Sequence, residues 1–251
     1  MKVFLPYRGE FGHKIMWHVP TVYHCKGEKV VCCEQGEEAL FPGATEYVLV
    51  ERNADANRRE KMNSDEELHQ RLTRELSSEY TAAEFVRPQR GTLEFFVPEP
   101  RVRYGITCDV VICPRKRRYG SVRNWKLWPQ LYEALASTHR VFAAGAPDSS
   151  EEVGPHKAWA YERFLDATLE AMLAAKVVIA TDTGLAFLAL LCGKPICLIS
   201  HSSGQASPSS PPIRLERYRR SNHKGVTIDV ACDAWTSIEP VVRIVQQKYK
   251  S

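Results

Sequence analysis

Short apolar runs alternate with longer amphipathic stretches along much of the chain. In the first fifty residues, MKVFLPY, EKVVCCE and TEYVLVE have the length and composition of strands, and KIMWHVPTVYHC between the first two is typical of a helix. Successive strands that are joined through a helix pair in parallel. The pattern therefore predicts a parallel α/β sheet in the amino-terminal part of the chain.

The second half repeats this alternation more clearly. Four short apolar runs predict strands, and the segments between them carry apolar residues at helical spacing. This order is typical of a doubly wound α/β domain, whose ligands lie at the carboxyl ends of the strands. The predicted strands are 108–113, 140–145, 177–180 and 195–200, and the predicted helical stripes are Trp128/Leu131/Tyr132/Leu135 and Leu165/Leu169/Met172/Leu173.

A few segments indicate how the chain is divided. PEPRVRYG at 98–105 combines proline, glycine and charge, which predicts a linker between two Rossmann-like domains at 1–100 and 106–235. In the first domain a capping box at 64–67 begins an amphipathic helix. HSSGQASPSSPP at 201–212 predicts a loop, and 236–251 predicts a closing helix that we expect to return to the amino-terminal domain.

Composition narrows the class of protein. The 251 residues are 44% apolar, enough for a globular core, and no apolar run approaches the length of about 18–20 residues that a membrane helix needs. The start, MKVFLPYRGE, becomes polar too early for a signal peptide, so we expect a cytoplasmic protein, in the host cytoplasm if the chain is viral. The eight cysteines lack the spacing of a zinc site, and we expect no structural metal.

Positive charge is concentrated in two places, although the formal net charge is only +4. Between Arg101 and Lys126 there are eight basic residues and one acid, and RLERYRR at 214–220 forms a second cluster. One interpretation is a solvated protein face. Because these clusters lie on loops next to predicted strand ends, the other interpretation is an anionic ligand.

The stretch TDTGLAFLALLCGKP at 181–195 follows a buried strand and begins an almost wholly apolar helix. A helix without a polar face packs inside a domain, and its open amino-terminal end binds anions through free N–H groups and the helix dipole. Asp182 or Thr183 is the expected N-cap, and Gly184 permits close approach of a phosphate. A carboxylate beside a phosphate is unfavourable unless it binds hydroxyls of an attached sugar. The alternative is that Asp182 only caps the helix.

Three elements of the sequence resemble one family. ATDTGLAFLALLCGKPICLIS resembles the donor-binding motif of the heptosyltransferases of glycosyltransferase family 9, KLWP at 126–129 is similar to the family's Lys-x-Trp-Pro element, and GEFGHKIMWHVP is similar to its first loop and helix. Two positions depart from the family. Phe187 replaces a histidine that commonly follows the DTG motif, and His13 replaces the catalytic aspartate, with one extra residue before Pro20.

The resemblance implies a GT-B fold, in which two Rossmann-like domains face a cleft, and a nucleotide-diphosphate sugar as donor. It implies that Lys126 neutralises the donor phosphates as a point cation. It further implies that Asp182 holds sugar hydroxyls. The amides offered to the diphosphate are those of Thr183, Gly184 and Leu185.

The reaction class that the resemblance implies is inverting sugar transfer without a metal or other cofactor. A base removes the proton of the acceptor hydroxyl, while helix N–H groups and basic side chains stabilise the leaving diphosphate. Glu10 and His13 both stand on the loop expected to face the cleft, and either side chain can be tuned near neutral pH. Which of them is the base, and which an ordinary loop residue, stays open.

Two acceptors are compatible with this chemistry. The family resemblance suggests a lipopolysaccharide or other saccharide. The compact size and basic loops favour a hydroxymethylated base in DNA, as in viral enzymes that glycosylate such bases, with Arg117 and Arg219 contacting the DNA backbone. A non-catalytic nucleic-acid-binding module explains the charge clusters but not the DTG helix. A dinucleotide-dependent oxidoreductase is disfavoured, because Gly9-x-x-Gly12 lacks the G-x-G-x-x-G pattern.

Overall fold

The computed structural model describes residues 1–7, 11–51, 62–88, 96–117, 124–200 and 215–250. The chain forms two units, Met1–Glu99 and Pro100–Ser251. Each unit is built on its own parallel sheet. Within the described ranges, no helix is both long enough and apolar enough to cross a membrane.

The amino-terminal unit alternates strands and helices. In chain order its elements are β1 (Lys2–Phe4), α1 (Phe11–His13), a π-helical turn (Lys14–His18), α2 (Val19–His24), β2 (Lys29–Glu34), β3 (Glu46–Val50), α3 (Met62–Leu76) and β4 (Glu84–Val86). The strands are parallel, in the order β3-β2-β1-β4. The predicted parallel sheet is therefore confirmed. The sequence pattern did not indicate β4, because three residues that begin with a glutamate give no periodicity.

Apolar residues of β1, β2 and α3 form the core of this unit. Val3 and Val30 are register partners of neighbouring strands and are buried. Helix α3 contributes Leu68, Leu72 and Leu76, which are spaced four residues apart and therefore lie on one face. These contacts pack α3 against the sheet.

The carboxyl-terminal unit has the same alternation over a longer sheet. In chain order its elements are β5 (Val110–Cys113), α4 (Trp128–Ala136), β6 (Val141–Ala143), α5 (Phe164–Ala174), β7 (Val177–Ala180), α6 (Gly184–Leu191), β8 (Ile196–Ile199), α7 (Leu215–Ser221), β9 (Ile228–Ala231) and α8 (Glu239–Lys248). The strands are parallel, in the order β6-β5-β7-β8-β9. The second predicted α/β sheet is confirmed as well.

The central strands of this sheet are apolar along their whole length. Every residue of β5, β7 and β8 is buried, as expected for a parallel sheet that is covered on both faces. Strand β9 lies at the edge, contains Asp229 and is only partly buried. The charge interrupts the apolar run, which is why the sequence pattern did not indicate this strand.

Helix α8 closes the carboxyl-terminal unit. It packs against α4, β8 and β9, and its buried residues Val241 and Val245 join the same apolar cluster as Leu131 and Leu135 of α4. The sequence analysis expected this helix to return to the amino-terminal domain. The contacts instead assign it to its own unit, because its two valines, spaced four residues apart, complete the core beside α4.

The segment that begins the carboxyl-terminal unit is fixed to α5 by two buried carboxylates. Asp166 and Glu170 lie one turn apart on α5 and are 0% and 8% exposed. Asp166 also accepts a hydrogen bond from Arg163 Nε at 2.6 Å. The two carboxylates accept backbone N–H groups of Arg101, Val102, Tyr104, Gly105 and Ile106. Residues 101–106 are therefore part of this unit rather than a loose connection.

Candidate active site

The candidate site lies at the carboxyl edge of the second sheet. Strands β5 and β7 are in register, with Cys113 opposite Ala180, and Ala180 is in turn opposite Leu198 of β8. The loops that leave these strands therefore emerge at one edge. In parallel α/β sheets this edge is where ligands bind.

Helix α6 begins directly behind this edge. Its N-cap is Thr183, which has extended backbone angles (φ −138°, ψ 162°) and makes no side-chain capping hydrogen bond. Within the described residues the N–H groups of Gly184 and Leu185 have no hydrogen-bond acceptor, as is usual for a first helical turn. The rest of the helix, 186–191, is buried, as the sequence predicted. A rigid helix thus presents unpaired donors at the sheet edge.

Two buried hydroxyl groups stand beside these N–H groups. Thr181 Oγ1 and Thr183 Oγ1 are inaccessible to solvent, and neither has a hydrogen-bond partner among the described residues. Thr181 as a whole is 1% exposed. Buried hydroxyls in proteins are nearly always hydrogen-bonded, and a polar ligand at this strand end would supply partners for both. The sequence analysis did not single out Thr181, although it directly precedes the DTG motif.

Asp182 is bound by a tyrosine of another helix. Its Oδ1 accepts a hydrogen bond from the Tyr218 hydroxyl at 2.6 Å. Tyr218 lies on α7 and is 0% exposed; burial, followed by the neighbouring carboxylate, raises its pKa well above the ordinary value. The N-cap position belongs to Thr183, so the interpretation of Asp182 as a simple helix cap does not describe this geometry.

The same tyrosine also lies next to Thr183 and Phe187. The backbone N–H of Thr183 partly offsets the rise in the pKa of Tyr218. The rings of Phe187 and Tyr218 are stacked, with centroids 4.4 Å apart and an interplanar angle of 7°. The guanidinium of Arg217 lies over the Phe187 ring, 5.6 Å from its centroid. The binding of a diphosphate by the amides of Thr183, Gly184 and Leu185 stays a prediction.

The second basic cluster divides into residues with different surroundings. Tyr218 faces α6, whereas Arg219 and Arg220 are exposed. Arg220 forms an ion pair with Glu216 one turn earlier, at 2.9 Å. Sequence reasoning missed Tyr218, because its partner Asp182 is 36 residues away in the chain.

Lys126 stands immediately before α4 on a rigid support. The side chain is exposed and forms no ion pair with the part of the chain that the structure describes. Its neighbour Trp125 is buried and donates from Nε1 to the carbonyl of Ala234 at 2.8 Å. The rings of Trp125 and Trp128 meet edge to face, 4.9 Å apart. The cation is therefore held on a fixed backbone after β5.

The first basic cluster is partly internal. Arg115 is buried, and its Nη1 donates to Asn124 Oδ1 at 2.5 Å. The same oxygen accepts the N–H of Arg117 at 3.1 Å, and Asn124 Nδ2 donates back to the Arg117 carbonyl at 2.8 Å. Asn124 thus ties the backbone of half-buried Arg117 to the segment before α4. Arg118 and Arg123 lie outside the described residues.

In the amino-terminal unit, only one of the two predicted bases can be described. His13 is the last residue of α1, and its ring stacks on Trp17 with centroids 4.2 Å apart. Glu10 lies outside the described residues. The stacking contact assigns no catalytic role to His13, and the identity of the base remains a prediction.

The π-helical turn behind His13 buries ionisable side chains that the sequence analysis did not single out. Lys14 Nζ forms an ion pair with Glu37 Oε1 at 2.5 Å. His18 is 2% exposed, and its Nε2 has no partner among the described residues. Burial, with smaller contributions from Lys14 and His69, lowers the pKa of His18 to about 3. The sequence signal for this burial was the placement of Lys14 and His18 four residues apart in an otherwise apolar helix.

The described residues include no group of three or more histidine, cysteine, aspartate or glutamate side chains that could hold a metal ion. The metal independence expected from the sequence stays a prediction. If it is correct, sugar transfer should continue in the presence of a chelator such as EDTA.

Comparison with known proteins places this geometry among glycosyltransferases by fold. No protein-family profile matches the sequence, and no curated protein matches it in sequence. The structure is similar to that of the E. coli ADP-heptose lipopolysaccharide heptosyltransferase II, with a TM-score of 0.55 and 11% identity over 98% of both chains. The chain has the fold of the heptosyltransferases.

Two further solved glycosyltransferase structures are similar in fold to this chain. A glycosyl transferase family 9 protein from Veillonella parvula has a TM-score of 0.52 and 10% identity, covering 100% of this chain and 92% of its own. The E. coli heptosyltransferase WaaC, solved with ADP-2-deoxy-2-fluoro heptose, has a TM-score of 0.52 and 12% identity, covering 98% of this chain and 99% of its own. The fold implied by the sequence resemblance is therefore confirmed.

Proposed function

We propose that the chain is a glycosyltransferase that moves a sugar from a nucleotide-diphosphate sugar to an acceptor hydroxyl. One observation carries the proposal: the start of α6 combines the unpaired N–H groups of Gly184 and Leu185 with the unpaired buried hydroxyls of Thr181 and Thr183. These donors adjoin an oriented carboxylate at the carboxyl edge of a parallel sheet. The likeness to heptosyltransferase folds supports this interpretation.

The donors at the start of α6 suit the diphosphate of such a substrate. Two N–H groups and two hydroxyls supply hydrogen bonds, and the helix dipole favours negative charge at this end. The same groups stabilise the charge that develops on the leaving diphosphate when the sugar–oxygen bond breaks. Lys126 adds a cation from the loop before α4.

Asp182 suits the sugar rather than the phosphate. A carboxylate next to a diphosphate is repelled unless its lone pairs accept hydrogen bonds from neutral donors, and sugar hydroxyls are such donors. In the structure the Tyr218 hydroxyl already plays this part on one oxygen. The carboxylate therefore holds the donor sugar while the helix holds its diphosphate.

The proposed reaction is inverting. A base, either His13 or Glu10 as predicted from the sequence, takes the proton of the acceptor hydroxyl. The acceptor oxygen forms the new bond to the anomeric carbon as the bond to the diphosphate oxygen breaks on the opposite face. No step in this scheme requires a metal ion, because N–H groups and Lys126 supply the positive charge.

We propose a saccharide hydroxyl as the acceptor. The solved structures that share the fold carry names that refer to heptose transfer. The basic clusters that favoured DNA are partly used within the protein, because Arg115 is bound to Asn124 and Arg220 to Glu216. A hydroxymethylated base in DNA stays a prediction from the sequence, with Arg117 and Arg219 as backbone contacts.

The decisive experiment is a donor and acceptor screen. Calorimetric titration of the purified chain with ADP-heptose, UDP-glucose and GDP-mannose identifies the donor, and release of nucleoside diphosphate with saccharide acceptors or hydroxymethylated duplex DNA identifies the acceptor. Affinity for the nucleotide sugar that is weakened in Asp182→Asn and turnover that persists in EDTA support the proposal. The proposal is wrong if none of the nucleotide sugars binds at millimolar concentration.

A further inference from the structure

We propose that Tyr218 is a positioning residue, which holds the Asp182 carboxylate in the one orientation that binds the donor sugar. The inference rests on the proposed function and goes beyond it, because it brings α7 into the donor site. Neither the DTG motif nor the basic cluster RLERYRR indicates such a role.

The first step is that the tyrosine hydroxyl binds the aspartate at the junction of strand β7 and helix α6. It donates to Asp182 Oδ1 at 2.6 Å. Asp182 lies between the last residue of β7, Ala180, and the first residue of α6, Gly184. One hydroxyl therefore restrains the carboxylate that stands directly before the helix.

The second step is that the tyrosine itself cannot move. Its side chain is 0% exposed, and the ring lies flat against Phe187 with centroids 4.4 Å apart. Phe187 is in turn buried within α6, the helix that presents the diphosphate donors. The position of the hydroxyl is thus set by the same helix whose end it faces.

The third step concerns the carboxylate. The terminal torsion of an aspartate is broad, so an unrestrained carboxylate samples many orientations. A short hydrogen bond to Oδ1 restricts the carboxylate before the sugar nucleotide binds. Less conformational entropy is then lost on binding. Burial raises the pKa of Tyr218, so the hydroxyl keeps its proton and remains a donor across the physiological range.

A second tyrosine–aspartate pair supplies a matched control. Tyr249 donates to Asp229 Oδ2 at 3.0 Å in the same unit, and burial likewise raises its pKa. Asp229 lies within β9, before the carboxyl edge of the sheet, and also pairs with Lys248. Replacing Tyr249 with Phe removes the same kind of bond at a place without a proposed ligand.

The experiment separates sugar binding from diphosphate binding. For the nucleotide that the wild-type chain binds, calorimetry gives the dissociation constants of the nucleoside diphosphate and of its sugar derivative. In Tyr218→Phe the ring and its stacking remain, so we expect diphosphate affinity to stay within about twofold while affinity for the sugar nucleotide falls by about 5- to 20-fold. The kcat should fall while the KM for the acceptor stays the same.

Two controls make the result specific. Tyr249→Phe should lower the melting temperature without changing the ratio of the two dissociation constants. Because Tyr218 acts through Asp182, adding Tyr218→Phe to Asp182→Ala, which has no acceptor for the hydroxyl, should cost almost no further affinity for the sugar nucleotide, a non-additivity that a purely structural tyrosine would not give.

The outcomes distinguish the inference from the function it rests on. A wild-type chain that binds sugar nucleotides, together with a Tyr218→Phe chain whose ratio is unchanged, overturns the inference and leaves the proposed function in place. Equal loss of diphosphate and sugar-nucleotide affinity also overturns it, since it shows a structural role. A wild-type chain that binds none of these nucleotides overturns both.

Discussion

The Tyr218 hydroxyl lies 2.6 Å from Asp182 Oδ1, and this bond joins helix α7 to the end of strand β7. It connects the half-exposed acidic residue of the DTG motif to a buried tyrosine as well as to the candidate site. Replacing Asp182 with alanine therefore changes two things at once. It removes the proposed ligand for sugar hydroxyls and leaves a buried hydroxyl without its acceptor.

Asp182→Ala is accordingly expected to abolish transfer and to destabilise the chain. The unpaired Tyr218 hydroxyl should lower the free energy of unfolding by about 1–3 kcal/mol. Asp182→Asn keeps an acceptor oxygen and should lose transfer with a smaller loss of stability. Chemical denaturation and product release measured on both variants test this difference. An Asp182→Ala chain with wild-type turnover would remove the aspartate from the donor site.

Lys126→Met should weaken nucleoside diphosphate binding by about tenfold without affecting the fold, because the side chain is exposed. Lys116→Met is the matched control, since Lys116 is another exposed lysine after β5. Calorimetry with the nucleoside diphosphate that the wild type binds measures both. Equal effects of the two substitutions would mean that general charge, and not the position of Lys126, matters.

Acid should destabilise the amino-terminal unit through His18. The pKa of His18 is lowered to about 3 by burial, below its ordinary value of 6.5, so the unfolded chain binds this proton first. The stability that neutral His18 contributes is present above pH 6.5 and is lost as the pH falls toward 3, at up to about 1.4 kcal/mol per unit. Unfolding by urea at pH 7 and pH 5 should show a larger loss in the wild type than in His18→Leu. Equal losses would contradict the burial of a neutral histidine.

Removing the carboxylates that hold residues 101–106 should expose that segment to trypsin. Asp166→Ala and Glu170→Ala leave backbone N–H groups without acceptors, and cleavage after Arg101 and Arg103 should accelerate. Glu162→Ala, an exposed glutamate just before α5, is the control. Cleavage rates followed by mass spectrometry decide the matter, and identical patterns in all three variants would argue against the carboxylates as anchors.

If DNA is the acceptor, charge reversal at Arg117 and Arg219 should flatten the dependence of DNA affinity on salt, since each phosphate contact releases a counterion.

Replacement of His13 or Glu10 should instead leave DNA and donor binding intact while transfer falls by roughly 10²–10⁴-fold, the usual contribution of a general base. Absence of duplex binding at low salt, together with transfer to a saccharide, would remove DNA from consideration.

Periodicity was sufficient wherever a buried element is apolar throughout. Strands β5, β7 and β8 and helix α6 were predicted because nothing polar interrupts them. The edge strand β9 was not predicted, because Asp229 interrupts its apolar pattern and binds a lysine and a tyrosine that lie about twenty residues later in the chain. Local pattern carries no information about such partners.

The candidate site shows the same division. Thr183, Gly184 and Leu185 could be assigned to a helix start from the sequence alone. The hydrogen bond from Tyr218 to Asp182 could not be predicted from the sequence, since it depends on how α7 packs on α6. The buried Lys14–Glu37 pair is likewise a property of two elements that meet only in the fold.

The buried body of α6 also sets how the site responds to ionic strength. Residues 186–191 of the helix are buried, whereas its first turn is half-exposed and Arg219 is exposed. A partly buried interaction is screened less by salt than one between exposed charges, so an anion bound by the first turn should depend less on ionic strength than one bound by Arg219. On a salt gradient, a ligand retained by the helix and a polyanion retained by the arginines would elute at different places.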